Sequence, residues 1–231
     1  MELEWLLLGL LKIIIINIVL SGDNAVVIAL ACRNLPAEQQ KKAIFFGSFG
    51  AIVLRVILTF VAVWMLQIPF VQVLGGIMLI WIAVKLMKNE EQEENLPSSQ
   101  HLGAAVKTIL IADLVMSLDN VLAVAGAANG NFLLIALGLA ISIPLIIWGS
   151  RLLMALMNRF PVIVMLGVGL LGYTSGEMIM SDGAIAARME TAHPALHYVL
   201  PVLLAVAVIV VGKWLQKKQK EDSVQADLAG Q

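Results

Sequence analysis

The residues best equipped for chemistry occur in two copies. Asn17, Ser21, Asp23 and Asn24 stand in the order Asn-x-x-x-Ser-x-Asp-Asn, and Asp113, Ser117, Asp119 and Asn120 repeat that order 96 residues later, with Asp in the first place. On a helix, Asn17, Ser21 and Asn24 share one face, and so do Asp113, Ser117 and Asn120. Asp23 and Asp119 lie one residue off these stripes. Carboxylate, amide and hydroxyl oxygens suit hard cations such as Mg²⁺, Ca²⁺ and Mn²⁺. Soft ligands are missing from both motifs. Cys32 falls at a predicted helix end, and His101, His193 and His197 fall in or near loops. This disfavours Cu⁺ and, less strongly, Zn²⁺. Met116 and Met178, near the polar positions, read as packing residues in a chain with 11 methionines.

The elements that must carry these motifs are hydrophobic helices. Of the 231 residues, 60% are hydrophobic and 13% charged, too little charge to cover a soluble domain of this size. Apolar runs long enough to span a bilayer recur along the chain. Hydropathy places seven spans near 6–31, 43–66, 68–87, 104–128, 132–153, 162–180 and 196–215. Turn chemistry separates them at Asn34-Leu35-Pro36, Gln67 to Pro69, Asn129-Gly130-Asn131 and Arg159-Phe160-Pro161. The first run is too long for a signal-peptide core and reads as a retained helix. The expected class is therefore an all-α polytopic membrane protein.

Lysine and arginine set the orientation. Arg33, Lys41 and Lys42 follow the first span, Lys88 and Lys107 flank the central linker, Arg151 and Arg159 end the fifth span, and Lys213, Lys217, Lys218 and Lys220 lie at the tail. The alternate loops carry almost none, only Arg188 between the sixth and seventh spans. This puts the N-terminus outside and the C-terminus in the cytoplasm.

The repeat extends beyond the motifs. With an offset of 92, Pro69 matches Pro161, Leu74-Gly75 matches Leu166-Gly167, and Lys85 matches Glu177. Three spans are thus repeated by three. Since three is odd, the second copy enters the membrane from the opposite side, an inverted repeat of the kind secondary transporters use. The expected organisation is a first repeat over 1–88, a cytoplasmic linker over 89–103, a second repeat over 104–180, an external loop with the seventh helix over 181–215, and a cytoplasmic tail over 216–231.

Lys12, Asp23, Arg55, Lys85, Asp113, Asp119 and Glu177 all fall inside predicted spans. A charge at bilayer depth costs about 2.5–3.5 kcal/mol even on lenient scales, so these groups are expected to face the bundle interior and pair, or bind something. Arg55 and Lys85 read as counter-charges, because a cation does not coordinate a cation. Glu177 reads as a ligand or proton carrier, or else as a salt-bridge partner of Lys85 or Arg55, while Lys12 can snorkel outward. Gly22 allows the first helix to break beside Asp23 and free backbone carbonyls there; Leu118 in the second copy gives less support for a break. Against a ligand role stands simple interhelical glue, since Ser and Asn hydrogen-bond across membrane helices.

At Ser-Gly-Asp-Asn-Ala-Val-Val-Ile-Ala and Ser-Leu-Asp-Asn-Val-Leu-Ala-Val-Ala the sequence resembles the TerC family of integral membrane proteins, over nearly the whole chain. The resemblance implies metal-ion export, chiefly of Mn²⁺, by a short bacterial member in the plasma membrane, and an association with tellurite resistance. It carries the family's motif acids onto Asp23 and Asp119, with Asn24 and Asn120 beside them. Asp113 and Glu177 are added from position alone.

The expected mechanism is Mn²⁺ export by alternating access, with no cofactor and no enzymatic activity. No P-loop is present in the sequence. Moving a dication out against a negative interior is uphill by about 4.6 kcal/mol per 100 mV, so export needs coupling or a large concentration gradient. Inward proton exchange at Asp113 or Glu177 is the simplest coupling, since a carboxyl withdrawn from water takes up a proton more readily. The partners are then the cation, protons and membrane lipid, with no nucleic acid; a homo-oligomer is left open. The competing readings are an exporter of Ca²⁺ or an oxyanion, and an accessory membrane subunit handling metal for partner proteins.

Overall fold

The computed structural model describes residues 2–65, 68–88, 98–127, 132–186 and 196–229. Among these residues every regular element is a helix: α1 (Glu2–Leu20), α2 (Gly22–Cys32), α3 (Ala37–Met65), α4 (Val71–Lys88), α5 (Ser98–Ala127), α6 (Phe132–Arg159), α7 (Pro161–Ser181) and α8 (Leu196–Ala229). Four stretches are long and apolar enough to cross a membrane: Ala37–Thr59, Ile135–Arg159, Pro161–Ser181 and Leu196–Lys218. The bent pair α1–α2 makes a fifth if counted as one span, and α4 holds a shorter apolar helix over Val71–Met87.

The boundaries follow local chemistry. Pro161 begins α7, where its missing N–H is no loss, and Phe160 before it is extended, as a residue preceding proline prefers. The turn into α4 follows Pro69 and places Phe70 in the left-handed region at φ 66°. Two expected boundaries move. Helix α5 starts at Ser98, so the later part of the 89–103 linker is helical; residues 89–97 lie outside the described residues. Helix α8 runs on through most of the expected tail, because Lys, Gln, Glu and Ala continue a helix as readily beyond the apolar stretch as within it.

The helices pack in two groups that also meet each other, α4 on α5 and α7 on α2 and α6, around one shared core. In one, α3 lies on α5, and α6 lies on α1 and α2, with α2 and α3 also meeting α5 and α6. In the other, α4, α7 and α8 pack mutually. Close approach in this second group depends on Gly172 and Gly176. A Cβ at Gly172 would stand 2.9 Å from the Ala205 Cα and from the Leu204 carbonyl oxygen, and one at Gly176 would strike the Pro201 backbone. Small residues one turn apart allow such backbone contact between membrane helices. Large apolar side chains cover the outside, among them Leu11, Phe45, Phe49, Trp81, Trp148 and Trp214. A rim this apolar fits lipid rather than water.

Candidate functional site

The two polar stripes meet at one side chain, Arg55 of α3. Its guanidinium donates to Asn17 Oδ1 at 2.7 Å and Ser21 Oγ at 3.1 Å from α1 and the α1–α2 junction. It also donates to Ser117 Oγ at 3.0 Å and Asp113 Oδ1 at 2.6 Å from α5. Each stripe is braced internally, with Ser21 Oγ donating to Asn17 Oδ1 and Ser117 Oγ to Asp113 Oδ2. All five residues are buried. Positions related by the repeat therefore grip the guanidinium from two sides, two oxygens from each copy. Arg55 with Asp113 is a buried, charge-assisted pair, and the remaining contacts give each guanidinium nitrogen a partner, with four of the five N–H groups used.

The break expected at Gly22 is present. Helix α1 ends at Leu20 and α2 begins at Gly22, with the stretches on either side bent by 48°. In an unbroken helix the Leu20 carbonyl would accept from the Asn24 N–H. Here the Asn24 N–H donates to Asp23 Oδ1 at 2.8 Å, and the Leu20 carbonyl accepts from Asn120 Nδ2 at 3.0 Å. The acid of the first motif thus caps the new helix start, and the amide of the second motif takes the freed carbonyl. The Ser21 hydroxyl makes no cap; it is spent on Arg55 and Asn17. Helix α5 runs unbroken through Leu118, in keeping with the weaker support for a break there.

Beside this hub lies a small cleft of about 30 Å³. Its polar lining is Asn17, Asn24, Ser48, Arg55 and Asp113, and its apolar lining includes Ile52, Ile109, Leu139 and Ile146. Asn24 and Ser48 are each 4% exposed, and neither the Asn24 side-chain amide nor the Ser48 hydroxyl has a hydrogen-bond partner among the described residues. Leaving such groups unsatisfied costs about 1–3 kcal/mol each, which marks the cleft as a place for a ligand, a water molecule or a second arrangement. Asp23 is half-buried and lies within electrostatic range of Arg55 and Asp113. Two carboxylates against one guanidinium leave a negative excess when both are ionised, which favours a cation.

The structure brings together Asn17, Ser21, Asn24, Arg55, Asp113 and Ser117, with Asp23 and Asn120 at the adjoining break. The side chain of Asp119 lies outside the described residues. Glu177 and Lys85 do not take the interior positions expected of them. Glu177 is exposed on α7, near Tyr173 one turn earlier, because the buried face of that helix is taken by Gly172, Ser175, Gly176 and Met178. Lys85 is half-buried near the end of α4, with Nζ 5.4 Å from the Trp81 ring centroid. Lys12 is exposed, consistent with snorkelling. Arg55 is the counter-charge expected of it, and its partner is Asp113 rather than Glu177. Among the described residues no three His, Cys, Asp or Glu side chains converge to hold a metal, so a cation here would draw on amide and hydroxyl oxygens beside the carboxylates.

Among the buried polar residues that spacing did not single out, Ser48 and Asp182 bear on the site and its frame. Ser48 shares a helix face with Arg55, seven residues on, and that register was its only signal. Asp182, just after α7, accepts the Phe70 and Ala184 N–H groups at Oδ1, at 3.2 and 3.0 Å, and the Gln72 N–H at Oδ2, at 3.2 Å. It fastens the end of α7 to the start of α4. An Asp-Gly pair after a helix is a turn signal, but nothing in it announces a partner more than a hundred residues away.

The chain is similar to known membrane proteins. Residues 3–220 match the model of the Integral membrane protein TerC family. The chain is 44% identical over 214 residues to the uncharacterized membrane protein YjbE of Bacillus subtilis (strain 168), covering 93% of this chain and 98% of that one. It is 30% identical over 192 residues to the inner membrane protein YgdQ of Escherichia coli (strain K12), covering 74% and 79%. It is 27% identical over 232 residues to a second Bacillus subtilis (strain 168) membrane protein, YceF, covering 95% and 87%. No solved structure matches.

Proposed function

The chain belongs to the TerC family of integral membrane proteins, and from that membership and the buried oxygen cluster we propose that it exports Mn²⁺ across a bacterial plasma membrane by alternating access. The observation that carries this reading is the cleft beside Arg55, where a hub built from both motif copies adjoins two buried polar groups without partners. A structural hub alone would have no use for the cleft. Asp23 and Asp119 are the proposed principal ligands, helped by Asn120, while Asn17, Ser21, Asp113 and Ser117 supply the oxygen set around the charge. Protons entering on a carboxyl of the cluster are the proposed driving ion.

The proposed topology is seven spans, with α1–α2 as one, in an inverted three-plus-three repeat, N-terminus outside and C-terminus in the cytoplasm. The packing supports the repeat. Exchanging α1–α2 with α5, α3 with α6 and α4 with α7 turns the α3–α5 contact into the contact of α6 with α1 and α2, and returns α4–α7 to itself. Each packing group draws on both halves of the sequence. The bodies that move in this proposal are therefore the α1–α2–α3–α5–α6 group against α4–α7–α8, and not one half against the other.

The test is the Mn²⁺ content and Mn²⁺ tolerance of cells carrying Asp119→Asn, alongside ⁵⁴Mn flux into liposomes holding only the purified protein. Loss of export in both supports the reading. Wild-type behaviour of the variant removes Asp119 from the site, and absence of flux from the purified wild-type protein removes the transporter in favour of an accessory subunit.

A further inference from the structure

Asn24 and Ser48 pose a question that the metal reading alone does not answer. Both are buried, both line the cleft that Arg55 also lines, and both lack side-chain partners among the described residues. Buried polar groups are ordinarily paired. Both orphans line the same cleft as the guanidinium, which has one N–H still unpaired among the described residues and is the donor that could serve them.

The hub itself has the composition of a cation site. Four oxygens, two from each motif copy, surround one positive charge. A dication could not share that space with Arg55, since two positive charges within a few ångströms in a poorly screened interior repel strongly. Cargo and guanidinium must exclude each other there. Ser48 lies two turns before Arg55 on the same face of α3, roughly 10 Å along the axis. Side chains on a helix lean toward its N-terminus, so an extended Arg55 side chain points toward Ser48. The Asn24 Oδ1 and Ser48 Oγ atoms are acceptors, as a displaced guanidinium requires.

We propose that Arg55 is an internal competitor of the transported cation: it fills the oxygen cluster of Asn17, Ser21, Asp113 and Ser117 in the empty carrier and shifts onto Asn24 and Ser48 when a divalent cation takes its place. This rests on the cation-transport reading. It gives the empty carrier a neutralised, closed core that can return without cargo, and the loaded carrier a defined berth for the displaced charge.

The test uses the full-length purified protein in liposomes with Mn²⁺ as probe, and Mn²⁺ binding in detergent followed by electron paramagnetic resonance. Removing the competitor with Arg55→Gln should tighten Mn²⁺ binding about tenfold or more while slowing flux. Ser48→Ala removes a group that has no partner in the empty carrier, so it should leave thermal stability unchanged or raised, yet lower Mn²⁺ flux about tenfold through loss of the berth. In the Arg55→Gln background, Ser48→Ala should add no further loss of flux. Wild-type flux in Ser48→Ala, or Mn²⁺ binding by a folded Arg55→Gln protein no tighter than wild type, overturns the proposal while leaving the transport reading intact. Should Arg55→Gln fail to fold, Ser48→Ala decides alone. If the wild-type protein moves no Mn²⁺, the transport reading fails first and this proposal with it.

Discussion

Replacing Asp113 by alanine should destabilise the protein through Arg55 rather than through the space vacated. The Arg55 and Asp113 side chains are 5% and 7% exposed and meet at 2.6 Å. Removing one partner of a buried pair leaves an uncompensated charge, at a cost of about 3–5 kcal/mol. Three neutral acceptors, Asn17, Ser21 and Ser117, stay on the guanidinium, which argues for the lower end. A loss of about 3 kcal/mol lowers the folding equilibrium constant by roughly two orders of magnitude. Asp113→Asn keeps an acceptor and should lose less. Combining Arg55→Gln with Asp113→Asn removes both charges while keeping hydrogen-bonding groups, and should recover most of the stability, with a coupling energy of about 2 kcal/mol in the double-mutant cycle. The assay is reversible unfolding in mixed micelles by increasing mole fraction of dodecyl sulfate, followed by circular dichroism. An Asp113→Ala protein within about 0.5 kcal/mol of wild type, or a double variant as unstable as the sum of the singles, would refute the reasoning.

Two further outcomes concern the α4–α7–α8 group. Gly176→Ala, whose added methyl meets the Pro201 backbone, should lower stability by about 1–3 kcal/mol, whereas Gly103→Ala, with open space around it, should stay within about 0.5 kcal/mol; thermal unfolding in detergent compares them. Asp182→Ala strips acceptors from three backbone N–H groups and should speed amide hydrogen exchange at Phe70 and Gln72 about tenfold or more, with Asp182→Asn intermediate; unchanged exchange would mean that the fastening is not a real constraint.

Much of this was legible in the residues. The spacing of Asn17 to Ser21 and Asp113 to Ser117 placed each pair on one helix face, and both pairs are buried on a common partner. Gly22 announced the break because it sits where a polar motif interrupts an apolar helix. The convergence on Arg55 was less visible. Its four oxygen partners come from two other segments of chain, and nothing around Arg55 in the sequence names them. Lys85 and Glu177 show the opposite error. Their alignment in the repeat suggested a shared interior role, but a helix has two sides, and the glycines and methionines of α7 claimed the buried one. The helices run past the apolar stretches that hydropathy marks wherever no Pro or Gly stops them, as in α8 and the start of α5.

The grip of both motif copies on Arg55 sets an order of assembly. Translation delivers Arg55 fifty-eight residues before Asp113. When α3 first enters the bilayer, only Asn17 and Ser21 have been made to receive its guanidinium, and both are neutral. The acid that pairs with it arrives with α5, after α4 and the central linker have been made. In the nascent first half Asp23 is within electrostatic range of the guanidinium but no acid is hydrogen-bonded to it, so the first half lacks the charge-assisted contact that the second half supplies. A chain truncated at the linker should therefore be recognised as incomplete by membrane quality control.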